Sequence, residues 1–482
     1  MNKFSDILGI EIPNRINILK ATNTTKKIKK DSIYFALQGT KTHGTKYARE
    51  ALSLGASIVV HNDPNFKVKD ENIFYVKNLE NKIIEFLNFL YDIDIDDNNF
   101  YAFTGTNGKT SAAYLCHQLL IKTKHESIYI GTLGIQHNNE EIDTSFTSKT
   151  TPDLFELFEI LHSLNLGLNP INICIEVSSH AIDQKRLSNI SGFRSASILN
   201  ITKDHLDYHK SLSSYIDTKF DIFKIHSPLK FIDEESNQLK DHNEKVTIVG
   251  NKKKSSDIFY KIKKISLSKC EFNILVNSSS MGKINNQKKE YKFLCNIIPE
   301  FNISNLVFAI SSVGFDNFSQ CSTNDLSFLK LPQGRLEFIK NISANIVIDY
   351  AHNEHAFKAV LNSIKQYFDN LVVVFGCGGN RDKAKRPKML YEAIKNSSKV
   401  IFTSDNSRNE NFEDIYEDAK KGNNLDNVIV IKDRREAIIY GSKIIGKNDC
   451  MVILGKGHEK TQEISGEILH HSDHEVIDEI YS

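Results

Sequence analysis

The residues of this sequence with the clearest chemistry form a glycine-rich turn, Thr-Gly-Thr-Asn-Gly-Lys-Thr, at positions 104–110. An apolar run, NFYAF, precedes the turn, and a helical pattern follows it. Glycines in such a turn let backbone N–H groups converge on anionic oxygens, and the following helix adds its positive end. Lys109 supplies a point charge, and Thr110 offers a hydroxyl to Mg²⁺. The turn therefore predicts a cradle for nucleotide phosphates, with ATP as the first candidate.

The turn is shorter than the general GxxxxGK[ST] phosphate loop. Phe103 stands where the first glycine would be, and only two residues separate Gly105 from Gly108. This compressed turn resembles the ATP loop of the Mur ligases and folylpolyglutamate synthetases, which join an amino acid to a carboxylate at the expense of ATP. The resemblance implies that ATP contacts come from Gly105, Thr106, Asn107, Gly108, Lys109, Thr110 and Ser111.

Two further segments carry candidate metal ligands. Glu176 follows an apolar strand pattern, where a carboxylate can reach a metal ion beside a phosphate loop. On its own, such a glutamate is a cap or an ion-pair partner. The segment NITKDHLDYH places His205 and His209 four residues apart, but a zinc site would need a third ligand and an HExxH context. We therefore predict His205 as a ligand of a second Mg²⁺, and His209 either as a residue that supports the metal ligands or as a structural residue.

Strand and helix patterns alternate along most of the chain, which predicts an α/β fold with mainly parallel sheets. The polar run IDIDDNN at 93–99 is typical of a linker, the pattern weakens over 227–296, and a third series of strands follows the Pro-Gln-Gly-Arg segment at 332–335. We predict three domains: residues 1–98, which bind the UDP-linked substrate; residues 99–332, a central P-loop ATPase domain with a parallel sheet; and residues 333–482, a Rossmann-like domain that binds an amino acid.

Composition gives no support to several other classes of protein. The 482 residues carry a formal net charge of +1, which provides no general attraction for nucleic acid or acidic membranes. Seven cysteines lie far apart without a CxxC pair, which argues against a zinc framework or a disulfide scaffold. The apolar runs are strand-sized, and the first residues lack the pattern of a signal peptide. We expect a cytoplasmic protein, a monomer, with no nucleic-acid or membrane partner.

The resemblance to the Mur ligases runs through nearly the whole chain and points to the branch that forms UDP-N-acetylmuramoyl-tripeptide. The matching motifs occur in order, and each is quoted as it stands here. They are TGTNGKT, TTP at 150–152, EVSSHAIDQKRL at 176–187, DHLDYH at 204–209, YIDTK at 215–219, FNISN at 301–305, GRLE at 334–337, DYAH at 349–352, FGCGGNRDKAKRP at 375–387 and GKGHE at 455–459.

What the resemblance implies is an ATP-dependent ligase of peptidoglycan precursor synthesis. It implies that ATP and UDP-MurNAc-L-Ala-D-Glu form an acyl phosphate, which the amine of meso-diaminopimelate then attacks. Catalytic roles fall on Lys109, Lys219 and His205, and metal contacts on Thr110, Glu176, His205 and Lys219. Lys219 matches the family's carbamylated lysine, whose added CO₂ turns a cation into an anion able to help hold Mg²⁺.

The matched motifs also imply three groups of binding residues. The first holds the UDP-linked substrate: Ser32, Thr150, Thr151, Ser178, Gln184 and Arg186. The second lies around adenine, ribose and phosphate: Asn302, Asn305, Arg335 and Asp349. The third receives the amino acid: Arg381, Asp405, Asn406, Arg408, Gly455 and Glu459.

The choice of amino acid follows from the third group. Relatives that add meso-diaminopimelate carry Asp-Asn-Pro-Arg, and this chain has Asp-Asn-Ser-Arg at 405–408. Diaminopimelate ends in a carboxylate and an ammonium, so Arg381 and Arg408 can bind the carboxylate while Glu459 receives the ammonium. Lysine offers only an ammonium. The alternatives are a lysine-adding relative, a folylpolyglutamate-synthetase-like ligase, a non-catalytic scaffold and a P-loop motor on nucleic acid.

Overall fold

A computed structural model of the protein describes residues 3–39, 42–142, 150–165, 170–277 and 288–482. The chain forms two compact units. Unit 1 comprises Met1–Ala102, Lys124–Ala196 and Asp221–Pro228, and unit 2 comprises Phe103–Thr123, Ser197–Phe220 and Leu229–Ser482. The chain crosses from one unit to the other within two strands, β5 (Asn99–Thr104) and β10 (Ser195–Ile198).

The first part of unit 1 is a small parallel sheet in which the strands follow chain order. Apolar side chains of strands two and three are buried against the helices, and Gly55, with φ of +105°, lets the chain turn from a helix into the third strand. The strands are β1 (Lys20–Thr22), β2 (Ser32–Ala36), β3 (Ala56–His61) and β4 (Ile73–Tyr75). The helices are α1 (Lys3–Leu8), α2 (Ala48–Ser53) and α3 (Ile83–Tyr91).

The second part of unit 1 joins a parallel strand pair to an antiparallel meander. β9 (Asn172–Glu176) pairs parallel with β6 (Ser127–Gly131), and the chain then turns back through β7 (Gly134–His137) and β8 (Glu140–Ile142). Two helices accompany these strands, α5 (Leu154–Ser163) and α6 (Ser179–Asp183). Asp153 and Glu156 form a capping box at the start of α5, each accepting the other's backbone N–H, which explains why this helix begins there.

The first helix of unit 2, α4 (Lys109–Lys122), follows the glycine-rich turn. It packs against α9 (Glu300–Val313). Between them lie α7 (Leu206–His209), α8 (Leu212–Phe220) and a run of strands in chain order: β11 (Leu229–Asp233), β12 (Thr247–Gly250), β13 (Ile258–Ile265), β14 (Cys270–Val276), β15 (Lys289–Cys295) and β16 (Thr323–Asp325). The lysines of β13 face solvent while Ile258 and Tyr260 are buried. This lysine-rich segment is therefore a half-buried strand with one face in solvent.

The last part of unit 2 is a six-stranded sheet with helices on both faces. Its strand order is β17 (Glu337–Phe338), β18 (Asn345–Asp349), β22 (Cys450–Leu454), β19 (Leu371–Phe375), β20 (Lys399–Phe402) and β21 (Val428–Val430), parallel except for the first pair. One face packs on α10 (Glu354–Lys365), α11 (Arg386–Asn396) and α12 (Phe412–Lys420), and the other on α13 (Arg434–Ile444) and α14 (Asp473–Tyr481). After β22 the chain forms an antiparallel hairpin of two strands, β23 (Thr461–Ile464) and β24 (Glu467–His470).

The α/β class with parallel sheets is confirmed, and two local features differ from expectation. Antiparallel strands extend the parallel ones at β6–β8 and β13–β15, because these short connections have no helix to return the chain. The segment expected to be a linker is a folded turn in which Ile95 is fully buried and Asp96 accepts the N–H of Ser191. The three domain boundaries stay a prediction. Among the described residues, none of the helices has the length and apolar character that crossing a bilayer requires.

A fully buried ion pair joins the first residues of α13 and α14. Arg434 donates from Nε and Nη2 to the two carboxylate oxygens of Asp473, at 2.8 and 2.7 Å, and neither side chain is exposed. Arg434 also donates to the carbonyl oxygen of Leu454, at the end of β22. Burial by itself raises the pKa of Asp473, but Arg434 and His471 outweigh it and hold that pKa well below its ordinary value.

We expect Asp473→Asn to lower the free energy of unfolding by about 3–5 kcal/mol, because it leaves the Arg434 charge buried without its carboxylate. Since the folded pKa of Asp473 is depressed, its stabilisation is present above the ordinary carboxyl pKa and is lost as the pH falls through the folded value. Urea unfolding at neutral and acidic pH measures both effects. The control is Glu479→Gln, which breaks an exposed pair with Arg435 and should change stability by less than about 1 kcal/mol.

Candidate functional site

The glycine-rich turn has the conformation that a phosphate cradle needs. Gly108 has φ of +87°, and a Cβ at this position would collide with the side-chain amide of Asn305, so only glycine fits. Helix α4 begins at the next residue, Lys109, with its N-terminal N–H groups at the turn. The turn therefore presents backbone donors and a lysine at one helix end, which is the arrangement that the sequence predicts.

Side chains around the turn hold its shape. Asn107 and Asn200 exchange two hydrogen bonds between backbone and side-chain amide, at 2.9 and 2.8 Å. Thr106 donates from Oγ1 to the carbonyl oxygen of Thr202. The ammonium of Lys109 donates to carbonyl oxygens within the turn, at 2.9 and 3.0 Å, so its charge lies over the loop itself.

A cleft of about 790 Å³ opens beside this turn within unit 2. It brings together eight residues of the predicted ATP site: Asn107, Gly108, Thr110, Ser111, Asn302, Asn305, Arg335 and Asp349. Asn305 donates from Nδ2 to Asn302 Oδ1 at 3.2 Å, so the two asparagines form one polar patch on α9. The volume suits a ligand of the size of a nucleotide.

Arg335 and Asp349 anchor one wall of the cleft. Arg335 donates from Nη2 to Thr110 Oγ1 at 3.1 Å, and its guanidinium lies 4.4 Å from the ring centre of Tyr350. Asp349 accepts the N–H groups of Leu336 and Ala351 at 2.6 and 2.7 Å. Burial raises the pKa of the Asp349 carboxyl, while Arg335 opposes that shift.

Lys219 is fully buried at the end of α8, with 1% of its surface exposed. Its Nζ lies 3.4 Å from Thr104 Oγ1 and 4.8 Å from the ring centre of Tyr215. Burial, and then the nearby charge of Lys109, lower the pKa of Lys219 well below that of an ordinary lysine, although Asp204 opposes them.

His205 is the N-cap residue of α7, in a left-handed backbone conformation with φ of +51°. Its Nε2 is 4.0 Å from Asp204 Oδ2, and 43% of its side chain is exposed. Asn353 donates to Asp204 Oδ2 at 3.3 Å and to Asn107 Oδ1 at 3.4 Å, which connects this segment to the turn. His209 is buried against aromatic rings, in keeping with the structural role predicted for it.

In unit 1 the structure gathers most of the residues predicted for the UDP-linked substrate, with Thr151 at the centre. Thr151 donates to the Glu176 carbonyl at 2.8 Å, and its Oγ1 accepts the N–H of Ser178 at 3.0 Å. Arg186 donates to the Thr151 carbonyl at 2.7 Å and to Gln184 Oε1. These side chains form one polar cluster at the carboxyl end of β9.

The Glu176 carboxylate is buried in the same cluster. It accepts from Tyr129 OH at 2.5 Å, from the Thr132 N–H at 2.7 Å and from Thr132 Oγ1 at 3.2 Å. Thr132 Oγ1 also contacts Thr150 Oγ1 at 3.4 Å.

Ser32 lies elsewhere in unit 1, as the first residue of β2. It is fully buried, and its Oγ accepts the N–H of Lys29 at 3.0 Å. His43 lies in the same part of unit 1, and its ring nitrogens contact Thr45 Oγ1 and Asn62 Oδ1, each at 3.0 Å.

The residues predicted to receive the amino acid meet at the carboxyl end of the six-stranded sheet. Asn406 donates from Nδ2 to Glu459 Oε2 at 3.0 Å, and a Cβ at Gly455 would lie 2.6 Å from Asp405 Oδ2. Arg408 donates from Nη1 to the Gly379 carbonyl at 2.8 Å. A Cβ at Gly378 would lie 3.2 Å from Arg408 Nη1 and 3.7 Å from Cγ of Arg381, so the two arginines flank one glycine.

Three buried residues that contact the predicted sites were not predicted from the sequence. Asn353 connects two loops, as described above. Arg386, at the start of α11, pairs with Glu410 and Asp418 and donates to the Gly378 carbonyl. Lys456 pairs with Glu459 at 2.9 Å. Arg386 and Lys456 lie inside quoted motifs, but only the folded chain shows that they are buried and what they contact.

No group of three or more His, Cys, Asp or Glu side chains able to hold a metal ion occurs among residues 3–39, 42–142, 150–165, 170–277 and 288–482. Thr110 and Lys219, two of the predicted metal contacts, are of other residue types.

Comparison with known proteins identifies two family domains in this chain. Residues 103–313 match the Mur ligase middle domain, and residues 334–457 match the Mur ligase glutamate ligase domain. A relative from Rickettsia montanensis is 33% identical over 94% of this chain and 94% of its own length. Another from Aquifex aeolicus is 32% identical over 95% of this chain and 92% of its own length. Both are named UDP-N-acetylmuramoyl-L-alanyl-D-glutamate–2,6-diaminopimelate ligase.

A solved structure of a ligase with that same name superposes on this chain with a TM-score of 0.63. It shares 27% sequence identity and covers 99% of this chain and 98% of its own. The resemblance of the ordered motifs to this family is thereby confirmed. The chain belongs to the Mur ligase family, in the branch of the diaminopimelate ligases.

Proposed function

We propose that this Mur ligase joins meso-diaminopimelate to UDP-MurNAc-L-Ala-D-Glu at the expense of ATP, in peptidoglycan precursor synthesis. The observation that supports this most directly is the cluster at the carboxyl end of the six-stranded sheet, where Arg381 and Arg408 flank Gly378 while Asp405 and Glu459 lie beside Asn406 and Gly455. Cations and carboxylates side by side suit a ligand that ends in both a carboxylate and an ammonium.

ATP fits the cleft of unit 2. The turn leaves no room for a side chain at Gly108, and helix α4 begins at the next residue, so its N-terminal N–H groups lie where phosphate oxygens can accept from them. Asn302 and Asn305 offer amide groups that can recognise adenine, and Arg335 and Asp349 lie in the wall beside them. Lys109, which contacts carbonyl oxygens of the turn here, is placed to move its ammonium onto the phosphates.

The proposed metal contacts are Thr110, Glu176, His205 and the carbamate of Lys219. Hydroxyl, carboxylate and carbamate oxygens are hard donors of the kind that Mg²⁺ prefers. Mg²⁺ supplies positive charge that stabilises the phosphoryl group in transfer.

Burial supports the carbamate on Lys219. Burial lowers the pKa of the Lys219 amine, which favours the form that can attack CO₂: the nitrogen forms a bond to carbon, one proton leaves, and an anionic carbamate results. An ammonium at this position would instead lie beside the charge of Lys109. Carbamate formation therefore replaces a repulsive contact by an attractive one.

The reaction has two steps. An oxygen of the terminal carboxylate of the glutamyl unit attacks the γ-phosphorus of ATP, which forms an acyl phosphate and releases ADP. The amine of diaminopimelate then attacks the acyl carbon, and orthophosphate leaves from the tetrahedral intermediate as the amide forms. Lys109 stabilises the charge that spreads over the phosphoryl oxygens. The Thr150, Thr151, Ser178, Gln184 and Arg186 cluster offers donors for the anionic peptide substrate, and Ser32 is proposed to lie on its uridine side.

An amino-acid panel with phosphate release as readout tests this function. Given ATP, Mg²⁺ and the muramoyl dipeptide, meso-diaminopimelate should give the fastest release, ahead of lysine and glutamate. Faster release with lysine would overturn the diaminopimelate specificity but would leave the ligase activity supported. Activity only with folate and glutamate would indicate the folylpolyglutamate alternative.

We also propose that the protein is a cytoplasmic monomer. Light scattering of the purified chain tests the oligomeric state.

We expect Arg408→Ala to raise the KM for diaminopimelate by roughly 10²-fold, since it removes a charge-assisted contact to the distal carboxylate. Discrimination against lysine should fall with it, because lysine never makes that contact. Steady-state kinetics with both amino acids measure the change. The control is Arg435→Ala, an exposed arginine of the same sheet region whose removal should leave both KM values unchanged.

A further inference from the structure

Lys456 is a buried cation inside the region proposed to bind the amino acid. Its side chain is 0% exposed, whereas Glu459, its partner at 2.9 Å, remains 29% exposed. Lys456 Nζ also lies 3.2 Å from Asn406 Oδ1, and Asn406 Nδ2 donates to the same Glu459 oxygen at 3.0 Å. Lysine, carboxylate and amide thus form a closed triangle. A buried ammonium needs such partners, because desolvation of an unpaired charge is costly.

The pairing changes what Glu459 can do for a ligand. Oxygen Oε2 of Glu459 already faces an ammonium and an amide, while Oε1 faces the Tyr350 hydroxyl at 3.4 Å. An incoming ammonium that approaches this carboxylate therefore also approaches the ammonium of Lys456. Like charges in a partly desolvated site repel strongly unless a further anion arrives with them.

The charged residues proposed to bind the amino acid, taken together with Lys456 and one further carboxylate, balance one another. Arg408 Nε lies 3.4 Å from Glu463 Oε2, which adds a third carboxylate. The three cations are Arg381, Arg408 and Lys456, and the three carboxylates are Asp405, Glu459 and Glu463. A balanced cluster accepts a ligand without net charge more readily than a cationic one. Diaminopimelate carries two carboxylates and two ammonium groups, whereas lysine carries one carboxylate and two ammonium groups.

We infer that Lys456 is a specificity-determining residue: its buried ammonium penalises a diamino acid that lacks a second carboxylate. The inference rests on the proposed function, since it concerns the choice of amino acid at that same site. In this arrangement the arginines attract the distal carboxylate, and Lys456 makes the site unfavourable for a cation that comes without one. Discrimination is then a difference between an attraction and a repulsion.

The test is the ratio of kcat/KM for diaminopimelate to kcat/KM for lysine in Lys456→Gln. Glutamine keeps a polar group near Asn406 and Glu459 but removes the charge. We expect the ratio to fall by roughly tenfold or more, chiefly through better use of lysine. A purely structural role would lower both kcat/KM values together and leave the ratio unchanged, which would overturn the inference. Lys456→Arg should retain the ratio, and Lys460→Met, which removes an exposed lysine nearby, should not alter it.

A second comparison covers the case in which Lys456→Gln does not fold. The double variant Lys456→Gln with Glu459→Gln contains neither charge of the pair, and its reference is Glu459→Gln alone. Competition binding of lysine against diaminopimelate should shift towards lysine by about tenfold or more in the double variant. No shift would contradict the role of Lys456. Wild-type protein that ligates neither amino acid would refute the proposed function itself, an outcome separate from an unchanged ratio in an active enzyme.

Discussion

Lys219→Ala is expected to lower ligation by roughly 10²–10³-fold while the protein stays folded, because it removes a group proposed to hold Mg²⁺ at the transferred phosphoryl. Its side chain is fully buried and contacts Thr104 and the Tyr215 ring, so alanine leaves a small cavity but no unpaired charge. Steady-state phosphate release, together with thermal unfolding of the same sample, separates catalysis from stability. Acetate or formate should restore part of the activity by placing a carboxylate in that cavity.

Lys224→Ala provides the matched control, since Lys224 is 73% exposed and its loss should leave ligation unchanged.

The carbamate also predicts that activity depends on CO₂ and on pH. Because burial and Lys109 lower the pKa of Lys219, its amine loses its proton at a lower pH than an ordinary lysine does, and acid restores the ammonium, which does not react with CO₂. Wild-type activity should therefore fall on removal of CO₂ and at acidic pH. Full activity of Lys219→Ala would exclude Lys219 from the mechanism.

Lys109→Ala is expected to lower the rate of phosphoryl transfer by about a thousandfold, because it deletes the only side-chain cation within the seven-residue turn at 104–110. Helix α4 should still form, since its buried face consists of other residues such as Leu115 and Leu119. Single-turnover formation of ADP in the presence of the muramoyl dipeptide measures the step directly.

Lys122→Ala is the control for that experiment, because Lys122 is exposed at the far end of the same helix. It should retain wild-type rates and unfolding temperature. A Lys109 variant that binds ATP weakly but transfers phosphate at the wild-type rate would assign Lys109 to nucleotide binding alone. An equal loss of rate in both variants would point to a defect of the helix.

The sequence allowed the local parts of the site to be predicted well. The turn around Gly108 depends on glycine and on the helix that follows, and both are readable from adjacent residues. The strand ends that carry Glu176, Asp349 and Asp405 were readable too, because buried parallel strands leave continuous apolar runs. The residues of the amino-acid cluster came from the family resemblance, and the structure places them together.

What the sequence could not show depends on contacts between distant segments. Lys456 lies 50 positions from Asn406, and only the sheet order brings their side chains to 3.2 Å. The same is true of Arg386 with Glu410, and of Asn353 with Asp204. Burial of Ser32 was also unforeseen, because a serine at a strand start is equally common on a surface. The antiparallel strands went unpredicted, although β14 has the alternation of buried and more exposed residues that is typical of a half-buried strand.

Isotope transfer tests the central claim most directly. The muramoyl dipeptide is prepared with ¹⁸O in both oxygens of its terminal glutamyl carboxylate and incubated with the enzyme, ATP, Mg²⁺ and meso-diaminopimelate. Activation through an acyl phosphate should deliver one ¹⁸O atom into each orthophosphate released, in step with formation of the tripeptide, as mass spectrometry would show. Orthophosphate that carries no label, or that appears without any amide product, would contradict it.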